Sequence, residues 1–154
     1  MEYVVGDATN PIGNGPRIIA HVCNDAKKWG KGFTYALSLR WKVPEKAYRA
    51  WSALKTPHAF GLGLVQFVAV DQDIMVANMV AQHGIRTDDG PPPIRYDALE
   101  KCLEKVATFA SNKKASVHMP RIGAGLSGGD WKEIVKIVER VFSSHNVSVY
   151  IYDL

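Results

Sequence analysis

The sequence predicts an α/β fold built on a sheet covered by helices on both faces. Two observations carry this. Stretches of strand character alternate with stretches of helical periodicity through the second half of the chain, the pattern of helices packed against a sheet. In addition, Arg17 to Cys23 (RIIAHVC) is a nearly continuous apolar run, as expected of a strand buried on both faces. The chain has 154 residues, 47% hydrophobic and 22% charged, which is globular rather than disordered composition.

The elements follow in order. Glu2 to Val5 reads as a first strand closed by Gly6-Asp7, and Asn10 to Pro16 (NPIGNGP) is turn chemistry. The buried strand Arg17 to Cys23 comes next. A helical stretch runs from Phe33 to about Arg40, and Pro44, tolerated in a first helical turn, starts another near Glu45 to Leu54. Leu62 to Val70 and Ile74 to Ala81 are predicted as paired strands joined by Asp71-Gln72-Asp73. The prolines and glycines of His83 to Pro93 exclude helix interior and central strand. Ile94 to Ser111 has helical spacing at Leu99, Leu103, Val106 and Ala110. Ala115 to Met119 is a short strand and Pro120 to Gly129 a glycine-rich loop. Asp130 is then the expected N-cap of a last helix, whose buried stripe includes Ile134, Val138 and Val141. Val147 to Tyr152 closes the chain as a strand.

Nineteen Lys and Arg against fifteen Asp and Glu give a net charge of +4, which favours anionic partners. The basic residues are dispersed along the chain, so nucleic acid is not the expected partner. Cys23 and Cys102 lie far apart without a CxxC pair, and no histidine trio has ligand spacing, so no metal and no disulfide is expected. No apolar run is long enough to span a membrane, and the N-terminus lacks signal-peptide features. A cytoplasmic monomer without a cofactor is the resulting expectation.

Ligands of open α/β sheets bind beyond the carboxyl ends of strands. Three loops are placed there: Gly6 to Thr9, Asn24 to Phe33 (NDAKKWGKGF), and Arg121 to Asp130. The third holds Gly123, Gly125, Gly128 and Gly129, enough glycine for a backbone anion nest, and the following helix N-terminus adds positive potential. It lacks the Lys-Ser/Thr ending of a Walker A motif, and a plain loop is the alternative. The second loop repeats the theme at Gly30 and Gly32, so the two loops together are suited to clasp a diphosphate. Asp7 suits an exocyclic amine or, alternatively, its own turn.

Gly6-Asp7-Ala8-Thr9 after a first strand, the Asn24 to Phe33 loop, and Pro120 to Leu126 (PRIGAGL) before a helix resemble the macro domain family. The Pro120 to Gly123 segment, Val80 to His83 and the tyrosine-bearing C-terminus are similar to one branch of it. That branch contains the terminal ADP-ribose protein glycohydrolase and the macro domain of a chromatin remodeller. The resemblance spans essentially the whole chain and predicts one macro domain over 1–154, with no room for an ATPase motor. It implies a three-layer α/β/α sandwich around a mixed, six-stranded sheet, with ADP-ribose at one edge. It also implies that Asp7, assisted by Ala8, holds the adenine amine and that Tyr152 packs near adenine. Gly123, Ala124, Gly125 and Leu126, with Ser127 beside them, would face the diphosphate, and Asn24, Asp25, Gly30, Gly32 and Phe33 the distal ribose.

The glycohydrolases of that branch carry a lysine after the middle strand and an aspartate after the glycine-leucine of the last loop. Those positions fall at Gln82 or His83 and at Ser127, so no lysyl Schiff base is expected. An ADP-ribosyl ester of glutamate leaves as a carboxylate whose conjugate acid has a pKa of about 4.3, so its departure needs little general acid. Positioning water is what remains, with Asp25, Gln82 and Asn24 as candidate catalytic residues. The expected function is release of ADP-ribose from proteins mono-ADP-ribosylated at acidic residues. The alternatives are a non-enzymatic reader of ADP-ribose, and processing of ADP-ribose-1″-phosphate or O-acetyl-ADP-ribose.

Overall fold

The computed structural model describes residues 1–87, 89–125 and 127–154. In chain order the elements are β1 (Glu2–Val5), β2 (Arg17–Asn24), α1 (Phe33–Arg40), α2 (Val43–Ser52), β3 (Val65–Asp71), β4 (Ile74–Gln82), α3 (Tyr96–Lys113), β5 (Ser116–Met119), α4 (Trp131–Ser144) and β6 (Val149–Asp153). The strands form one six-stranded sheet in the order β1-β6-β5-β2-β4-β3. Every pairing is parallel except β3 with β4, so the sheet is mixed, as expected.

Alternation along β2 and β4 explains the layers. Ile18 and Ala20 on β2 and Ala77 and Met79 on β4 pack with α3 and α4 in one core. Ile19 and Val76, pointing the other way, pack with Leu37 of α1 and with Trp29 and Phe33 in a second core. The predicted three-layer sandwich is therefore present, because both faces of the central strands are apolar. Each fully buried aliphatic side chain here contributes about 1.5–3 kcal/mol. Among the described residues no helix is long and apolar enough to cross a membrane.

Most boundaries differ from expectation by one to three residues, among them the starts of β3, α3 and α2. β3 begins at Val65 rather than Leu62, because the Gly63 N–H pairs with the Val80 carbonyl outside the ladder (2.8 Å). α3 starts at Tyr96, not Ile94, since Ile94 forms a bridge to Gln82. α2 starts at Val43, one residue before Pro44. The Asp130 cap is as predicted: its carboxylate accepts from the Lys132 N–H (2.9 Å).

A candidate site at the sheet's switch point

Five strands run the same way, so the carboxyl ends of β1, β2, β4, β5 and β6 share one edge. β2 and β5 are neighbours, yet β2 leads to α1 on one face and β5 to α4 on the other. By topology a crevice is expected between the two departing chains, where ligands of such sheets bind. The loops 25–32, 120–125 and 127–130 form its walls. The loop leaving β4 opens on the same edge; it stood outside the three loops that the sequence singled out.

The polar groups at this edge are joined into one chain. The β2–β4 ladder shifts register after Cys23, so that Asn24 pairs with Gln82, and such a bulge re-aims the side chains beside it. The Asp25 N–H donates to the Gln82 carbonyl (2.9 Å). Its carboxylate accepts from the Gly84 N–H through Oδ1 (2.7 Å) and contacts His83 Nδ1 through Oδ2 (2.8 Å). The Gln82 amide donates to the Gly84 carbonyl (3.1 Å), and its Oε1 accepts from the Ser127 hydroxyl (2.5 Å). Asp25, Gln82 and Ser127, read separately from the sequence, thus meet through His83 and Gly84. The Asp25 side chain is 23% exposed and that of His83 61%, so the pair faces solvent at the mouth of the crevice.

Asn24 is a correction. Its carboxamide donates to the Lys28 carbonyl (2.8 Å) and accepts from the N–H groups of Ala26 and Lys28 (both 3.1 Å). Tyr48, fully buried, donates its hydroxyl to the Asn24 carbonyl and carboxamide oxygens (2.8 and 3.1 Å). A buried amide so engaged shapes the 25–28 turn, and the roles expected for it in orienting water and facing the ribose fall away.

Tyr152 is a second correction. The sequence expectation puts its ring against a base, but it is 4% exposed, packed beneath Gly6. Its hydroxyl accepts from the Ile12 N–H (2.9 Å) and bonds His118 Nδ1 (2.7 Å), while His118 Nε2 meets the Ser116 hydroxyl (2.8 Å). Burial, with Arg17 nearby, lowers the His118 pKa to about 4, so this relay is uncharged near neutrality. It fastens the 10–16 loop over β5 and β6.

The glycines divide by what a Cβ would meet. At Gly129 it would lie 2.6 Å from the Gly123 carbonyl, and at Gly123 3.0 Å from Ile134 and 3.1 Å from Ile94. Those two are required by packing, and Gly123 is buried rather than lining a cradle. Gly128 is likewise closed, with Arg86 Nη1 2.9 Å from the added atom. Gly125 meets nothing within 4 Å and is exposed. The Ala124 N–H turns back toward the Arg121 carbonyl (3.4 Å), so it does not project freely as expected. Leu126 lies outside the described residues. The α4 N-terminus holds the Asp130 carboxylate, which removes the open positive end that the sequence suggested.

The remaining expected contacts are mixed. Asp7 is exposed, but its Oδ1 accepts from both the N–H and the hydroxyl of Thr9 (2.8 Å each), the turn alternative, which leaves Oδ2 for a ligand. Ala8 is buried beneath it. Gly30 and Gly32 are exposed on the second loop, and a Cβ at Gly30 meets only Thr34, at 3.9 Å. Phe33 is half-buried with its ring 5.8 Å from His21, part of the α1 core as much as of the crevice. Among the described residues, no group of three His, Cys, Asp or Glu is placed to hold a metal.

Sequence reasoning missed Gly84 and Arg86, and it placed His83 at the family's lysine position without giving it a role. The available signal was their place directly after β4, since a strand parallel to β2 must end on the same edge.

Comparisons with known proteins agree with this architecture. No family model matches the chain. A macrodomain protein from Streptomyces coelicolor is 46% identical, with a TM-score of 0.88 over 99% of this chain and 98% of that one. The chain therefore belongs to the macrodomain family. A protein of unknown function from Bacteroides thetaiotaomicron is 52% identical, with a TM-score of 0.93 over 99% of this chain and 97% of that one. Over 99% of this chain, the mouse (Mus musculus) chromodomain-helicase-DNA-binding protein 1-like is 34% identical, although the chain spans only 17% of that relative's length. An ADP-ribose 1″-phosphate phosphatase of Saccharomyces cerevisiae is 22% identical over 97% of both chains.

Proposed function

We propose that the crevice between the β2 and β5 loops binds ADP-ribose and hydrolyses the ester joining it to an acidic side chain of a protein. The observation that carries this reading is the carboxylate–imidazole pair Asp25–His83, at the end of the same crevice as the open backbone of Gly125.

The diphosphate lies against Gly125, where an added Cβ meets nothing within 4 Å, with the Arg86 guanidinium beside Gly128 close by. Adenine is held by the second carboxylate oxygen of Asp7. The distal ribose then faces Asp25, Gln82 and His83. Asp25, locked by two hydrogen bonds, fixes the orientation of His83, and the exposed imidazole is left with Nε2 for water. His83 takes a proton as that water attacks the anomeric carbon, and the Asp25 charge stabilises the cation developing there. The bond from anomeric carbon to ester oxygen breaks, and the glutamate departs as carboxylate. Gln82, held by Ser127, keeps a neutral amide where a lysine would make a covalent adduct. Such a site has no need of a Schiff base, because its leaving group is already weakly basic.

The test is release of free ADP-ribose from a protein ADP-ribosylated at glutamate, with enzyme limiting. Multiple turnovers are expected. A single stoichiometric burst or no release, with ADP-ribose still raising Tm, would replace the hydrolase by a reader. The phosphatase relative motivates a parallel assay on ADP-ribose-1″-phosphate, for which slower turnover is expected because phosphate is the more basic leaving group.

A further inference from the structure

Charge is unevenly distributed along the chain. From Asn24 to Lys55, eight Lys and Arg stand against only Asp25 and Glu45, a net +6 within a chain whose total is +4. Everything outside that segment therefore sums to −2. The segment is the crevice wall together with α1 and α2. Lys31, Arg40, Lys42 and Lys46 on it are exposed.

The same surface leaves apolar groups uncovered. Tyr35 (58% exposed) and Leu39 (70%) are four residues apart on α1, hence one turn apart on a single face. Val43, at the start of α2, is 48% exposed. The opposite face of α1 supplies Leu37 to the core, and this outer face is exposed, without a partner among the described residues. α1 begins at Phe33, beside His21 of β2, and continues to Leu37 against Ile19, which lies nearer the start of that strand. The surface thus leads away from the mouth of the crevice, where the departing glutamate sits.

We infer that the outer face of α1 and the start of α2 dock the polypeptide around the modified glutamate, and that this polypeptide is acidic with interspersed aliphatic residues. The inference rests on the reading of the crevice as an ADP-ribosyl-ester site. Charge complementarity chooses the occupant: a segment of net charge +6 beside a site for modified acidic side chains fits neighbouring Glu and Asp. The aliphatic groups distinguish a peptide from a nucleic acid. Single strands are held by stacking on successive open aromatic rings, whereas here Tyr35 stands alone beside the aliphatic Leu39 and Val43, and the guanidinium of Arg40 covers the Trp41 ring (5.0 Å).

The experiment uses calorimetry with free ADP-ribose and two synthetic peptides. Each peptide carries ADP-ribose through a stable amide on one glutamine, flanked in one by Glu and Leu and in the other by Gly and Ser. The acidic peptide is expected to bind about tenfold more tightly than the neutral one at low salt, the difference shrinking as salt screens it. Leu39→Glu and the double variant Lys42→Glu/Lys46→Glu, all at exposed positions, should abolish that difference and leave free ADP-ribose affinity unchanged. Equal affinity for both peptides, with free ADP-ribose still bound, overturns the docking surface alone. A single-stranded oligonucleotide that displaces the acidic peptide and binds more tightly than it does also overturns it. Failure of free ADP-ribose to bind overturns both this inference and the crevice reading.

Discussion

Gly125→Glu separates a ligand cradle from a structural loop. A Cβ at position 125 meets no atom within 4 Å, so the substitution should leave Tm unchanged within about a degree. Take the added carboxylate to stand about 5 Å from each phosphate of a diphosphate bound against Gly125. At an effective dielectric constant of about 20, each charge pair then costs about 3 kcal/mol before screening. Even halved by salt, two such pairs predict at least about a hundredfold loss of ADP-ribose affinity. Gly129→Ala is the counterpart. Its methyl would sit 2.6 Å from the Gly123 carbonyl, so the loop must shift, and overpacking of that kind costs about 1–3 kcal/mol of stability. Calorimetric titration and thermal unfolding of both variants provide the readout. A folded Gly125→Glu protein that binds ADP-ribose as the wild type does would place the diphosphate elsewhere and refute the reasoning.

Further outcomes are expected from the same geometry. Asp25→Asn should slow release of ADP-ribose by about a hundredfold or more while affinity for free ADP-ribose stays within about threefold, as steady-state and binding assays would register; an unaffected rate removes Asp25 from the chemistry. Asp7→Asn keeps an acceptor for Thr9 but turns the other oxygen into a donor facing the adenine amine, and should weaken binding by about 1–3 kcal/mol in calorimetry. Stability should fall on acidification. Burial lowers the pKa of His21 and of His118 from 6.5 to about 4, so between those values the unfolded chain binds more protons and is favoured. With both sites titrating, the slope reaches about 2.7 kcal/mol per pH unit, starting below pH about 6.5 and levelling below about 4. Denaturant unfolding from pH 7.5 to 4.5 tests this, and a flat profile would contradict it.

His21 also shows why the fold was more legible than the site. Its place in an apolar run marked β2 as buried on both faces, and the structure packs the ring against Trp29 and Phe33, with Nε2 on Asn78. Hydrophobic periodicity is a local signal, and it places elements to within a few residues. The site depends on pairings between distant segments. Gln82 and Ser127, forty-five residues apart, were each legible through the family resemblance, but their mutual hydrogen bond was not. Asn24 and Tyr152 had the residue types of ligand contacts, and neither periodicity nor spacing reveals that the Lys28 backbone and the Ile12 N–H already use them. His83 read as a loop histidine without a role, because its carboxylate partner Asp25 lies fifty-eight residues away and only the parallel pairing of β2 and β4 brings the two together.

The most direct test of the central claim is a titration of the nitrogen-15-labelled protein with ADP-ribose, followed by NMR. The account predicts backbone shifts in four clusters at one sheet edge: Gly6 to Thr9, Asp25 to Phe33, His83 to Arg86, and Gly123 to Gly129. It predicts none in the groove at the opposite edge, where Phe109, Lys113 and Ile74 line a cavity of about 260 Å³. Shifts confined to that groove, or no shifts at millimolar ADP-ribose, would contradict the account.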